Sequence, residues 1–161
     1  MFAVFTLGLT AQFLAMAGTY ALDGNKLVVP SAVTFRTGTA ELTPDSAAAI
    51  AHVAQYLGDK KYVTTLRIEV HSDNAGSAAE AQTLTERRAL AVAKALVAKG
   101  VDCKRVLPTG HGPHKPVASN DTPEGKAQNR RVEFHNAALA GRPIGGMAVE
   151  GTGKVAGDPC K

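Results

Sequence analysis

Val63-Thr64-Thr65-Leu66-Arg67-Ile68-Glu69-Val70-His71-Ser72-Asp73-Asn74-Ala75-Gly76, followed closely by Leu84-Thr85-Glu86-Arg87-Arg88-Ala89, is the stretch on which the fold turns. From Val63 to Val70 apolar residues alternate, with Leu66, Ile68 and Val70 on one face of a strand. Ser72 to Gly76 breaks the pattern, so Asp73 falls just beyond the carboxyl end of that strand, where ligand loops of α/β sheets gather. The Ala-rich segment from about Ala78 to Lys99 favours helix and is closed by Gly100. Leu84, Ala91, Ala95 and Leu96 form part of a face able to pack on a sheet. Arg88 lies one turn after Leu84 on nearly that face, and must emerge at its edge or meet a partner. Arg87, about 100° around the helix, is expected in solvent.

Further elements follow on either side. Tyr20-Ala21-Leu22 and Lys26-Leu27-Val28-Val29 flank Asp23-Gly24-Asn25, which reads as a hairpin. Thr43-Pro44 offers an N-cap and a first-turn proline to a helix whose stripe is Ile50, Ala51, Ala54 and Leu57, ending at Gly58. Val101 to Leu107 supplies a third strand and Arg131 to Phe134 a fourth. Strands alternating with helices imply an α/β domain.

An acid and a base fifteen positions apart, Asp73 and Arg88, suggest a site for a small zwitterion. A carboxylate accepts hydrogen bonds from an ammonium, and a guanidinium presents a planar fork to a carboxylate, so the two together complement an amino-acid head group. The competing reading is that Asp73 caps a turn and Arg88 is solvated, each making at most a surface ion pair worth ~0–1 kcal/mol. On the last strand, alternation separates Arg130, Val132 and Phe134 from Arg131 and Glu133. Asn129 reads as a turn-holding amide.

Composition narrows the classes. At 161 residues and 45% hydrophobic, the chain has material for one ordinary core. The formal charge of +4 is spread without a dense basic run, aromatics are 5% and Trp is absent, which argues against nucleic acid as partner. His71, Asp73, His111 and His114 raise the alternative of a metal-dependent hydrolase, but no His-Glu-x-x-His or comparable spacing occurs. No Gly-x-Ser-x-Gly elbow is present either. Residues 1–17 are apolar and end in Ala15-Met16-Ala17 without a basic lead, leaving three readings: a cleaved signal, a membrane anchor, or the tail of an upstream segment. Residues 136–161, with Gly-Arg-Pro, Gly-Gly and Gly-Thr-Gly, read as a flexible tail. Cys103 and Cys160 leave a bridge that pins this tail and two free thiols both open.

Gly110-His111-Gly112, Pro116, Asn120-Asp121-Thr122, Gly125-Lys126 and Asn129-Arg130-Arg131-Val132-Glu133 follow the helix in that order, and Phe35, Gly38 and Ala40 precede it. Together with the strand-end and helix motifs, this series closely resembles the OmpA-like peptidoglycan-binding domain over roughly residues 25–135. The resemblance implies an α+β sandwich of βαβαβ type, a mixed four-stranded sheet with helices packed on one face, in residues 18–135. It also implies that Asp73 and Arg88 grip the free amino-acid end of meso-diaminopimelate in the peptide stem of the cell wall. Asp73 stands in His-Ser-Asp where the family usually has His-Thr-Asp, and Arg88 in Leu-Thr-Glu-Arg-Arg-Ala where it has Leu-Ser-x-x-Arg-Ala. Ala81 replaces a common Asn, and Val70 the usual Gly before the His. An Arg of the last motif helps line the family's cleft, for which Arg131 is preferred here over Arg130, and groups near Phe35 or Ser72 would orient the stem. The implied role is non-catalytic tethering of the envelope to peptidoglycan in the periplasm, with outer-membrane or envelope proteins as further partners. No catalytic residue, metal or cofactor is assigned. A protein–protein scaffold is the alternative in the binding class.

Overall fold

The computed structural model describes residues 18–144 and 153–161. The reading of residues 1–17 as signal or anchor lies outside the described residues. No helix among the described residues is long and apolar enough to cross a membrane.

The expected hairpin forms: β1 (Ala21–Asp23) pairs antiparallel with β2 (Lys26–Val28), turning through Gly24, whose φ of 58° is the left-handed conformation glycine accepts without a Cβ penalty. A 3₁₀ turn at Pro44–Ser46 leads into α1 (Ala47–Asp59). Thr43 therefore caps the short turn by position only, without a side-chain hydrogen bond, and Gly58 lies inside the helix, which closes at Lys60. The central strand β3 (Val63–His71) leads into α2 (Ala78–Ala98), capped by the Ser77 hydroxyl, which accepts from the Glu80 amide.

The third strand is displaced from its expected place. Asp102 caps a 3₁₀ turn at Cys103–Arg105 by accepting from the Lys104 amide, so β4 begins at Val106 and runs to Gly112. A short helix, α3 (Pro123–Asn129), precedes β5 (Val132–Leu139), and the two-residue strands β6 (Arg142–Pro143) and β7 (Lys154–Val155) follow. The sheet order is β1-β2-β5-β3-β4-β7, with β6 on β5; β3 pairs parallel with β4 and antiparallel with β5. The mixed sheet of the expectation is present, lengthened to seven strands by short additions.

The core lies between one sheet face and the two long helices. Leu66, Ile68, Val70, Val106 and Phe134 meet Ile50, Val53, Tyr56 and Leu57 of α1 and Ala89, Val92, Ala93 and Leu96 of α2. The buried stripe of α2 is thus Gln82, Thr85, Ala89, Val92, Ala93 and Leu96, rotated from the expected face, of which only Leu96 is fully buried. Leu84, Arg88, Ala91 and Ala95 flank it, half-buried. Close approach explains the rotation: a Cβ on Gly110 would stand 2.4 Å from the Glu86 amide nitrogen. Polar bonds fix the same crossing, with the Gln82 amide donating to the Gly110 carbonyl at 2.8 Å and the Gly112 amide to the Thr85 hydroxyl at 2.9 Å.

The described part of residues 136–161 is not a loose tail. Asn136, Ala137 and Ala138 are buried in β5, and the Asn136 amide group and Tyr56 hydroxyl exchange hydrogen bonds at 2.8 and 3.1 Å. Lys154–Val155 pairs with β4, Ala156 is buried in the core, and Cys160 is bridged to Cys103 across 57 residues. Gly-rich composition signalled breaks between elements, while cross-strand pairing and the bridge, both long-range, decided the outcome.

Candidate functional site

At the carboxyl end of β3 the chain turns sharply. Asp73 Oδ1 accepts from the Ala75 amide at 2.9 Å, an Asx-type turn that fixes the carboxylate, and the Ser72 amide donates to the Gly112 carbonyl at 3.0 Å. Asp73 is buried, and its Oδ2 pairs with Arg130 Nη1. Burial acts to raise its pKa, but the Ala75 amide and the Arg130 guanidinium outweigh it and hold the carboxyl below its ordinary value. Asp73 is therefore ionised and already has a cationic partner. Arg130 is half exposed, so the pair lies at the solvent boundary.

Across the site, Arg88 is held by the loop between Phe35 and Leu42. Phe35 and Leu42 form an antiparallel bridge, and Gly38 at φ 71° lets the loop turn tightly enough for the Thr39 amide to donate to the Arg36 carbonyl. The Thr39 carbonyl accepts from Arg88 Nε at 2.8 Å, and the guanidinium carbon lies 4.8 Å from the centre of the Phe35 ring. Burial lowers the Arg88 pKa, yet an arginine keeps its charge at any ordinary pH. Its two terminal amino groups have no hydrogen-bond partner among the described residues.

Between these groups is a cleft of about 470 Å³, lined by Val33, Thr34, Phe35, Thr37, Gly38, Val70, His71, Arg88, Arg130, Arg131 and Val132. Of the expected residues, Phe35, Arg88 and Arg131 are on its wall, whereas Asp73 does not line it and is paired with Arg130, which does. Asp73 and Arg88 have different partners and do not pair with each other. The Ser72 hydroxyl is buried without a hydrogen bond among the described residues.

Both Arg131, preferred on the sequence, and Arg130 line the cleft. Arg131 Nε donates to Glu133 at 2.7 Å and Nη1 to the Lys115 carbonyl at 3.2 Å, on the sheet face opposite Val132 and Phe134, as alternation requires. Arg130, at the helix-to-strand joint where strand parity does not apply, is the one that meets Asp73. Asn129 is the turn-holding amide expected: its oxygen accepts from Val117 and Ala118, and its nitrogen donates to Ala118 and Asn120. Thr39 was missed because a carbonyl contact leaves no signature in residue type.

A second polar group occupies the sheet face away from the helices. Arg67, Glu69 and His71 of β3, His111 of β4, and Glu133 and His135 of β5 lie side by side: Arg67 is in register with His135 and Glu69 with Glu133, and His111 joins them where the β3–β4 register shifts between Val70 and His71. Metal-hydrolase spacing does not predict this assembly, which includes His71 and His111 but neither Asp73 nor His114. Burial pushes His111 down to about 4.

A family model described as OmpA family matches residues 34–130. The chain belongs to the OmpA family. It is 43% identical over 113 residues to "Probable lipoprotein YiaD" of Escherichia coli K12, covering 70% of this chain and 51% of that protein. It is 42% identical over 110 residues to outer membrane porin F of Pseudomonas aeruginosa, covering 67% of this chain and 31% of the porin. The chain thus spans about half the length of the first relative and about a third of the second. The crystal structure of the peptidoglycan-associated lipoprotein from Burkholderia pseudomallei superposes with a TM-score of 0.59 at 28% identity, covering 65% of this chain and 88% of that one. This is the peptidoglycan-binding, envelope-anchoring family, and outer-membrane proteins and a peptidoglycan-associated lipoprotein are among the proteins similar to this chain. The OmpA-family domain of this chain is a periplasmic, envelope-associated module.

Proposed function

We propose that this OmpA-family domain binds peptidoglycan through the meso-diaminopimelate of the peptide stem, without catalysis, and so tethers the envelope to the wall. The observation that carries the reading is Arg88, oriented on the cleft wall by the Thr39 carbonyl and the Phe35 ring, with its terminal amino groups uncommitted. A guanidinium so placed offers a bidentate seat to a carboxylate. The distal carboxylate of diaminopimelate takes that seat. The distal ammonium goes to Asp73, where it must share or displace Arg130, whose half-exposed side chain can swing into solvent. The name of the Burkholderia lipoprotein supports the same ligand class.

Sedimentation with purified sacculi tests this directly. The chain is expected to pellet with diaminopimelate-type sacculi and to be released by free meso-diaminopimelate, while Arg88→Ala stays in the supernatant. Arg88→Ala pelleting like the parent would mean that the wall is held by another surface, and a parent chain that does not pellet at all would favour the scaffold alternative, in which an envelope protein is bound instead.

A further inference from the structure

We propose that Glu69, His71 and His111 form a binding site for one divalent transition-metal ion of the zinc class, on the sheet face opposite the helices, with Glu133 and His135 at its outer side. Three imidazole Nε2 atoms surround a single oxygen, Glu69 Oε2: His71 at 3.3 Å, His111 at 3.7 Å and His135 at 3.8 Å. The ligand atoms of Glu69, His71 and His111 all lie within 4.8 Å of one another, as do those of Glu69, Glu133 and His135. Ordinary N–H···O bonds close to ~2.9 Å, so two of these separations are too long to be hydrogen bonds. A tetrahedral ion with ligands at ~2.0–2.2 Å holds its donors ~3.3–3.6 Å apart. The three separations from Glu69 Oε2 differ from that spacing by a few tenths of an ångström at most, and the stacked rings of His71 and His111 would have to turn for both to reach one ion.

His135 Nε2 is bonded to Glu133 Oε2 at 2.8 Å and His71 Nε2 to Glu69 Oε2 at 3.3 Å, while other imidazole nitrogens have no occupation among the described residues. His71 and His111 side chains are 1% exposed and stacked with ring centres 4.8 Å apart. Neither nitrogen of His111 has a hydrogen-bond partner among the described residues, nor does His71 Nδ1. Buried nitrogens without partners are uncommon and unfavourable, and coordination would satisfy one of them. The carboxylates, by contrast, are oriented from behind. Arg67 holds Glu69 Oε1 through Nε at 2.7 Å and Nη2 at 2.6 Å, and Arg131 holds Glu133 Oε1 at 2.7 Å, leaving both Oε2 atoms toward the imidazoles. Such outer contacts set ligand direction in metal sites. The two guanidiniums balance the two carboxylates, so affinity falls below that of the same donors without them. Imidazole and carboxylate donors suit Zn²⁺, Co²⁺ or Ni²⁺ rather than Mg²⁺ or Ca²⁺.

The test uses the full, untagged chain, stripped with chelator and dialysed. Calorimetric titration with Zn²⁺ is expected to give one ion per chain, with no heat from Mg²⁺ or Ca²⁺, and Co²⁺ is expected to give visible bands of low-symmetry coordination. His111→Ala should weaken Zn²⁺ binding roughly tenfold or more, and His114→Ala should leave it unchanged. Imidazole ¹H–¹⁵N spectra of the unmodified chain keep the result independent of any folding defect: Zn²⁺ should move the His71 and His111 nitrogens and spare His52. Binding that survives His111→Ala unchanged, spectra in which only His52 or His114 responds, or no Zn²⁺ uptake at stoichiometric concentration would overturn the proposal.

Discussion

Arg88 and Asp73 carry opposite charges and sit in opposite situations. Arg88 has its Nε spent on Thr39 and its terminal amino groups uncommitted, whereas Asp73 has both oxygens engaged, one by the Ala75 amide and one by Arg130. A charge-assisted hydrogen bond contributes ~1.5–3 kcal/mol, so Arg88→Ala is expected to weaken binding of a diaminopimelate stem roughly tenfold or more by calorimetry. Arg88→Lys should recover little of this, because an ammonium cannot reproduce the fork or its stacking on Phe35. Asp73→Asn should cost binding while keeping the turn, since the side-chain oxygen can still accept from Ala75. Arg130→Ala should cost less than Asp73→Asn in the same titration, because it removes a competitor for the carboxylate. A larger loss from Arg130→Ala would make Arg130 itself the ligand contact. At this scale residue type and motif singled out Asp73, Arg88 and Phe35, of which the structure puts Phe35 and Arg88 on one cleft wall. Arg130 was obscured by a parity argument that fails where a helix meets a strand.

Elements were legible where local signals agree and misplaced where they conflict. The span of α2 followed from its alanines and Gly100, yet its buried stripe did not, because Gly110 and Gly112 of β4 draw Gln82 and Thr85 against the sheet. Two glycines in a strand count against strand by composition, and Asp102 caps a turn where a strand was expected to begin. The end of β5 was lost for the same reason, since Gly141-Arg142-Pro143 reads as a break. Its contribution is measurable. Asn136→Ala leaves the buried Tyr56 hydroxyl without its partner and should destabilise the chain by about 1–3 kcal/mol in urea unfolding. Reducing the Cys103–Cys160 bridge releases a 57-residue loop and should cost about 2–4 kcal/mol, seen as a lower Tm. A Tm unchanged by reduction would mean that β7 stays docked without the bridge.

Taken whole, the molecule puts two kinds of polar chemistry on one sheet: an arginine-lined cleft at the carboxyl end of β3 and a histidine–glutamate group on the face away from the helices. The fold class and family were legible because several short motifs occur in order; the second group was not, because strand register brings it together from β3, β4 and β5. On the proposed reading a single cleft suffices to hold a polymer, since the wall repeats the stem peptide at high local concentration. Basic residues scattered over the surface favour approach to an anionic wall, an effect that added salt weakens. Specificity must then come from the cleft. Lysine-type stems lack the distal carboxylate and leave Arg88 unpaired, which predicts discrimination between stem types. The most direct measurement is an NMR titration of the chain with a soluble diaminopimelate-containing muropeptide, with its lysine-type counterpart alongside. Saturable shifts centred on Asp73, Arg88 and Phe35 with the diaminopimelate form only are the predicted result. Equal shifts with both stem types, or none at millimolar ligand, would contradict the account.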